Sequence, residues 1–107
     1  MLNRRNKYRA VPTVVDGIRF ASKREANDYG LLKIREKMGA IQDLRLQVRY
    51  PLVVNGQLIC TYIADFVYVD TDHGSEVVAD SKGMRTDVYK LKKKLMKAIL
   101  NIDILEL

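Results

Sequence analysis

Hydrophobic and polar positions alternate along the middle of this chain, and the alternation predicts β-strands. From Leu44 to Val54 and from Gln57 to Val69 the sequence alternates and is rich in β-branched and aromatic residues. Between them stands Asn55-Gly56, the strongest short-range signal for a hairpin turn. A further strand is predicted from Glu76 to Lys82, ending at Gly83. The middle of the chain is therefore predicted to form three antiparallel strands.

Two other segments have helical rather than alternating spacing. The first predicted helix begins at Ser22 and ends with Gly39 as its C-terminal cap. The second is capped by Thr86. Apolar residues recur at helical spacing in both helices, in the first at Leu31, Ile34 and Met38, and in the second, as a predicted buried stripe, at Val88, Leu91, Leu95 and Ile99.

Short elements are predicted at both ends of this series. An Asp16-Gly17 turn between apolar pieces indicates a small hairpin, and residues 101–107 alternate as a last short strand. The predicted fold class is α/β with a mixed sheet, in the order helix, strand, strand, strand, helix, strand, preceded by the hairpin. A chain of 107 residues suits one domain, here residues 11–107, behind a basic flexible arm at residues 1–10.

The net charge of +6 is unevenly distributed. Residues 41–81 contain two basic and six acidic side chains, a local net charge of −4, so the rest of the chain carries +10. Much of the excess lies in the N-terminal arm and in the second helix, at Arg4, Arg5, Lys7, Arg9, Lys90, Lys92, Lys93, Lys94 and Lys97. An acidic centre between basic flanks suits a polyanion that is held by its phosphates, although a solvated helix face explains any single lysine equally well.

Composition excludes several classes of function. There is no apolar run long enough to cross a bilayer and none behind the basic N-terminus to resemble a signal peptide, so we expect a protein of the cytoplasm with no membrane partner. The single Cys60 lies in an apolar segment and excludes an internal disulfide. Thiol chemistry is therefore not expected.

Two carboxylates and a lysine carry the strongest chemical signal. If Thr71 to Gly74 form a four-residue turn, Asp65 lies directly opposite Asp80 on the neighbouring strand, with side chains on the same face. Lys82, two residues further on, returns to that face. Carboxylates this close repel each other unless a cation or proton lies between them. The spacing predicts a site for a divalent metal beside an ammonium group, and a register slip of one residue would destroy it.

Each of these residues also has a structural interpretation. Asp65 could accept backbone or tyrosine hydrogen bonds at a strand end, and Lys82 could be an ordinary surface lysine. Glu25 stands three residues after Ser22 in a capping-box pattern, which explains it without any catalysis. From the local sequence alone, capping is the favoured interpretation of Glu25.

The ordered set of motifs resembles the PD-(D/E)XK nuclease core, and more closely a phage and prophage family of small endonucleases related to Holliday-junction resolvases. The resemblance covers roughly residues 7–98. Ala64 precedes Asp65 where the superfamily name has proline, and Asp80 stands where glutamate is more often written. The matching segments are Lys7-Tyr8, Asp16 to Ala26, Asp43 to Gln47, Tyr62 to Tyr68 and Asp80 to Gly83.

The resemblance implies a restriction-endonuclease-like core and a DNA endonuclease that depends on Mg²⁺ or Mn²⁺. It makes Asp65 and Asp80 metal ligands, Lys82 the catalytic lysine and Glu25 a further acidic member, so it reverses the preference for capping. It also implies that Gln47 lines the site. With a regular Asn55-Gly56 turn, however, Gln47 falls on the opposite face from Asp65, so its placement requires a β-bulge.

The hypothesis from the sequence is thus metal-assisted hydrolysis of DNA in a bacterial host cell, with branched DNA as a candidate substrate. The arm residues and Lys90, Lys93, Lys94 and Lys97 would contact flanking phosphates, and an enzyme that cuts junctions would be a symmetric homodimer. Two alternatives stay open: a non-catalytic DNA-binding module with a degenerate acidic centre, and a structural protein in which the acidic pair is incidental.

Overall fold

The computed structural model describes residues 11–82 and 85–107, and it confirms the predicted mixed α/β fold and the order of its elements. The basic arm and Gly83 lie outside the described residues. The elements are β1 (Thr13–Val15), β2 (Ile18–Phe20), α1 (Lys23–Lys37), β3 (Ile41–Val54), β4 (Gln57–Asp70), β5 (Ser75–Asp80), α2 (Asp87–Leu100) and β6 (Ile104–Glu106).

The strands form two sheets. β1 and β2 pair as a small antiparallel hairpin, and the main sheet has the order β3-β4-β5-β6. The β3, β4 and β5 strands pair antiparallel, whereas β6 pairs parallel to β5 after the α2 crossover, which makes the sheet mixed. None of the helices in the described part of the chain is long and apolar enough to cross a membrane.

Turns and caps form where the sequence predicted them. Both residues of the Asp16-Gly17 turn and of the Asn55-Gly56 turn have positive φ, as tight hairpin turns require. The Ser22 and Thr86 hydroxyls each accept a hydrogen bond from a backbone N–H three residues later, at 3.1 Å. Gly39, with φ +81, follows the last turn of α1. These local signals fix the ends of the elements.

The two helices pack on opposite faces of the sheet. Phe66 and Tyr68 of β4 pack with α1, whereas Val67 between them packs with α2. In β5 the same alternation separates Ala79 from Val78. The sheet is therefore the middle layer between two hydrophobic clusters, and residues at its ends can reach either helix.

The buried face of α2 matches the predicted stripe only in part. Val88 and Leu91 are 63% and 58% exposed, while Tyr89 and Met96 are the buried residues of α2. Leu95 and Ile99 of the predicted stripe do pack against the hydrophobic cluster that contains Tyr89 and Met96, as predicted. In the first turn Tyr89 takes the place of Val88, because it combines an apolar ring with a hydroxyl that bonds to Glu106. In α1 the apolar residues used for the prediction are likewise exposed, and the buried set is Glu25, Ala26, Tyr29 and Leu32.

The alternation of faces is interrupted at one level of the β3–β4 hairpin. Leu46 packs in the α1 cluster but Val48 packs in the α2 cluster, although the two residues have the same parity. Gln47 between them has φ +51, which is uncommon in a strand. On β4 the same change occurs between Ala64 and Phe66. Gln47 and Asp65 therefore lie at the point where both strands change faces.

A bulge in the hairpin sets the register at this level. Near the turn Val53 pairs with Leu58, but Leu52 pairs with Cys60, so Ile59 is an extra residue on β4. Beyond the bulge the register places Gln47 opposite Asp65, between the Leu46–Phe66 and Val48–Ala64 pairs. The bulge that the placement of Gln47 requires is therefore present.

Candidate acidic site

The predicted alignment of Asp65 with Asp80 is present. Phe66 pairs with Ala79, which continues to Asp65 opposite Asp80. The backbone N–H of Asp65 donates to Asp80 Oδ1 at 2.8 Å, and the backbone N–H of Ser81 donates to Asp65 Oδ2 at 3.0 Å. The two carboxylates thus each bind the backbone of the other's strand at the point where β4 and β5 separate.

Asp80 is the most buried charged residue of the site, with 1% of its surface exposed. Its Oδ2 atom is buried and accepts no hydrogen bond from the described residues. The nearest cation is the Lys82 ammonium, whose Nζ lies 3.5 Å from Oδ2. Burial raises the pKa of Asp80, against the lowering effect of the Asp65 N–H and Lys82. The carboxylate is thus oriented through Oδ1, while the buried Oδ2 has the Lys82 ammonium as its nearest positive partner.

Lys82 is held by two groups of opposite character. Its ammonium lies near Asp80, and it also lies 4.5 Å from the centre of the Tyr89 ring, within the range of a cation–π contact. The Tyr89 hydroxyl donates to Glu106 at 2.8 Å, which fixes the ring. The lysine is therefore positioned between the acidic site and the start of α2.

Glu25 belongs to the site as well as to the start of α1. Its backbone N–H donates to Ser22 Oγ, as in a capping box, but its carboxylate accepts a hydrogen bond from Gln47 Nε2 at 3.1 Å. Burial and the charges of Asp65 and Asp80 raise the pKa of Glu25 to about 7, in spite of Lys82. The capping interpretation and the functional one are therefore compatible.

Gln47 connects the helix to the sheet. Its amide nitrogen lies 3.3 Å from Asp65 Oδ1 in addition to its contact with Glu25. These three side chains border a cavity of about 350 Å³. The other lining residues come from β2, the following residue and β3: Ile18, Arg19, Phe20, Ala21 and Leu46. The small hairpin thus forms one wall of the site.

Sequence reasoning missed three residues around this centre. Asp28 accepts a hydrogen bond from Ser81 Oγ at 2.5 Å, which ties α1 to the segment after β5. The sequence did contain a signal for Asp28, because a residue three positions after Glu25 lies beside it on the surface of a helix. Tyr89 and Glu106 gave no comparable signal, because their contacts depend on how α2 and β6 pack.

The basic residues predicted on α2 fall into two groups. Lys93 and Lys97 form ion pairs with Glu106 and Asp103, at 2.9 Å and 3.0 Å. Lys90 and Lys94 are exposed, and no ion pair joins them to any acidic residue in the described ranges. The predicted contact residues Arg4, Arg5, Lys7 and Arg9 lie outside those ranges.

The side chains of the acidic site have the chemistry of metal ligands. Asp65, Asp80 and Glu25 offer carboxylate oxygens, the ligands that Mg²⁺ and Mn²⁺ prefer, and Asp80 Oδ2 is a buried acceptor without a hydrogen bond. Within residues 11–82 and 85–107, no three acidic, histidine or cysteine side chains already form a metal-holding group. The chemistry fits a hard divalent cation, and Gln47 stands between Glu25 and Asp65 in this arrangement.

Fold and site together define a small mixed α/β protein with an acidic pair beside a lysine, in which Asp80 is buried and Asp65 is partly exposed. The chain belongs to the DUF1064 family, described as a protein of unknown function, whose family model matches residues 5–102. No curated protein and no solved structure matches the chain.

The raised pKa of Glu25 predicts how stability changes with pH. The folded state retains this proton up to about pH 7, whereas the unfolded chain loses it near 4.5, so deprotonation costs stability as the pH rises between these values. In metal-free buffer, Glu25→Gln should therefore stabilise the protein on the order of 2 kcal/mol at about pH 8 and leave it nearly unchanged at about pH 4. Urea unfolding at both pH values measures the difference.

Glu36 provides a control of opposite sign. Its hydrogen bond with Lys33 lowers its pKa, so its contribution is present above pH 4.5 and is lost as the pH falls. Glu36→Gln should destabilise the protein at about pH 8. Equal behaviour of the two variants would contradict the assignment of Glu25 to a buried acidic environment.

Proposed function

We propose that this protein is a metal-dependent DNA endonuclease, acting in the cytoplasm of a bacterial host cell, in which Asp65, Asp80 and Glu25 hold Mg²⁺ or Mn²⁺ and Lys82 assists the attack on the phosphodiester. The observation that carries the proposal is the buried Asp80 Oδ2 atom, which has an ammonium 3.5 Å away and no hydrogen bond from the described residues. Burial of a carboxylate in this state is costly unless a further cation or a bound proton balances its charge. An acidic pair with a purely structural role does not require a buried carboxylate oxygen that accepts no hydrogen bond.

The protein's own residues have separable roles in this scheme. Asp80 is oriented by the Asp65 N–H, and Asp65 by the Ser81 N–H, so both carboxylates are fixed before any ligand binds. Glu25 of α1 and Gln47 of β3 are hydrogen-bonded to each other and border the site on the side of α1. Lys82 supplies positive charge where the phosphate becomes more negative during attack. A bound Mg²⁺ would supply Lewis-acid polarisation of the phosphate and a lower pKa for the attacking water.

Cleavage assays test the catalytic assignment. With Mg²⁺, the wild-type protein should nick supercoiled plasmid or cut a synthetic four-way junction, and the comparison of the two identifies the preferred substrate. Asp80→Asn and Lys82→Ala should each reduce the rate by about 100-fold or more, because each removes a charge that acts at the reacting phosphate.

Asp72→Asn is the matched control, since Asp72 is an exposed residue of the turn between β4 and β5. It makes the same chemical change away from the site and should leave the rate within about twofold. DNA binding without cleavage in Mg²⁺ or Mn²⁺ would reject the enzyme and favour the non-catalytic binding module.

DNA contacts by α2 form the second part of the proposal. Lys90 and Lys94 are exposed on one face of the helix, one turn apart. Replacing both by Gln should weaken binding to a duplex oligonucleotide by about 10-fold. It should also make the negative slope of log K against log salt shallower, by about 2. Fluorescence anisotropy at several salt concentrations measures both quantities.

A double variant with the same change in charge separates contact from net charge. Lys37 lies on α1, and Lys92 donates to the Thr61 carbonyl on another side of α2 at 3.0 Å. Lys37→Gln with Lys92→Gln should retain most of the affinity and of the salt slope. Equal losses in the two double variants would show that the α2 face is not a specific contact surface.

A homodimer is the remaining part of the proposal, because incision of two strands in a junction requires two centres in a symmetric arrangement. α1 offers a surface for the second copy, since Leu31, Ile34 and Met38 are exposed on one face. Sedimentation analysis should show a dimer for the wild type and a monomer for Ile34→Glu. A monomeric wild type would remove the dimer and leave the catalytic assignment to be decided by the cleavage assays.

A further inference from the structure

A basic groove of about 710 Å³ lies between α2 and β6. Its charged lining consists of five basic residues and two acidic ones, a net charge of +3 at neutral pH. The basic residues are Arg85, Lys90, Lys93, Lys94 and Lys97, and the acidic ones are Asp103 and Glu106. The four lysines span about 10 Å along one helix face, a length over which a nucleic-acid strand presents about three phosphates. Shape and charge both suit a polyanion.

One end of this groove already holds an anionic group of the protein itself. Glu106 Oε1 accepts a hydrogen bond from Arg85 Nε at 2.7 Å, and Arg85 Nη2 lies 2.6 Å from the same oxygen in an ion pair. Its Oε2 accepts from Lys93 Nζ at 2.9 Å and from the Tyr89 hydroxyl at 2.8 Å. Four donors around a single carboxylate form the type of environment that binds a phosphate.

Glu106 also lies next to the acidic site. It is the register partner of Asp80 on the parallel strand β6, and adjacent strands are about 4.8 Å apart. Tyr89 connects the acidic site with this end of the groove, since its ring lies beside the Lys82 ammonium and its hydroxyl donates to Glu106. A nucleic-acid strand with one phosphate at the acidic site would therefore bring a neighbouring phosphate towards Arg85 and Lys93.

These two cations are accessible to a ligand. The side chains of Arg85 and Lys93 are 61% and 43% exposed, whereas that of Glu106 is 14% exposed. A phosphate could reach both from the solvent side without displacing any buried residue. Its charge would compete with the carboxylate that holds them.

We propose that the Arg85–Lys93 end of the groove is a phosphate-binding site for the nucleic-acid backbone, and that Glu106 is an internal competitor that must give up these two cations when the phosphate binds. The inference rests on the proposed function because it takes nucleic acid as the ligand. It concerns binding alone, and it can therefore fail or hold independently of the cleavage chemistry.

Glu106→Gln tests the competition, and Asp103→Asn is the matched control. Both substitutions remove one negative charge from the groove, but among the described residues the ion pair of Asp103 is with Lys97, at the opposite end. The measurement is fluorescence anisotropy of a labelled duplex oligonucleotide in EDTA, where no cleavage occurs, at several salt concentrations.

Glu106→Gln should bind about 3- to 10-fold more tightly than wild type at about 0.1 M salt, with a steeper salt dependence, because two cations become available. Asp103→Asn should produce less than half of that gain on a logarithmic scale. Adding Arg85→Gln to Glu106→Gln should remove most of the gain. An equal effect of the two single variants, or weaker binding by Glu106→Gln, would overturn the proposal.

A second variant covers the case in which Glu106→Gln does not fold. Arg85 is exposed and carries its positive charge at the proposed phosphate site, so Arg85→Gln alone should weaken binding by about 3-fold or more. Lys37→Gln on α1 removes the same charge elsewhere and should have a smaller effect. Equal effects of these two variants would reject the phosphate site.

Discussion

The candidate site depends on one interaction, the reciprocal hydrogen bonding of Asp65 and Asp80 at the point where β4 and β5 separate. Each carboxylate accepts a backbone N–H, from Asp65 itself in one case and from Ser81 in the other. This pairing holds two like charges close together although Asp80 is buried. A protein tolerates such an arrangement with compensating positive charge or a bound proton, and Lys82 supplies part of the positive charge. The other site residues are arranged around this electrostatic requirement.

The surrounding elements bring their side chains to the pair from three directions. α1 contributes Glu25 and, through Ser81, Asp28. β3 contributes Gln47 at the level where both hairpin strands change faces. α2 contributes Tyr89, which contacts Lys82 and extends the hydrogen-bonded network to Glu106. The acidic site and the basic groove are thus parts of one polar network at the C-terminal ends of β5 and β6.

Membership in the DUF1064 family establishes the relationship of the chain but assigns no activity to it. The nuclease proposal therefore depends on chemistry: hard oxygen ligands, a buried acceptor without a hydrogen bond, and an adjacent ammonium. Gln47, which bridges Glu25 and Asp65, is the feature that most directly affects metal binding, because its amide occupies acceptors that a cation would use. Its unusual backbone conformation, with φ +51, shows that the fold accepts local strain to place it there.

The sequence by itself determined the element order, the turns, the helix caps and the alignment of Asp65 with Asp80, because each depends on local conformation or on the period-two geometry of a short hairpin. It also indicated that Gln47 needs a bulge, but not that the bulge lies at Ile59. The apolar spacing correctly placed Leu95 and Ile99 of α2 against the core, but only the tertiary structure decided the rest of the buried helix faces. Tyr89 replaced Val88 in the core because its ring packs while its hydroxyl reaches β6, a contact between residues seventeen positions apart. The dual role of Glu25 and the contacts of Glu106 were decided in the same way, since burial and long-range partners, rather than neighbouring residues, determine what a charged side chain does.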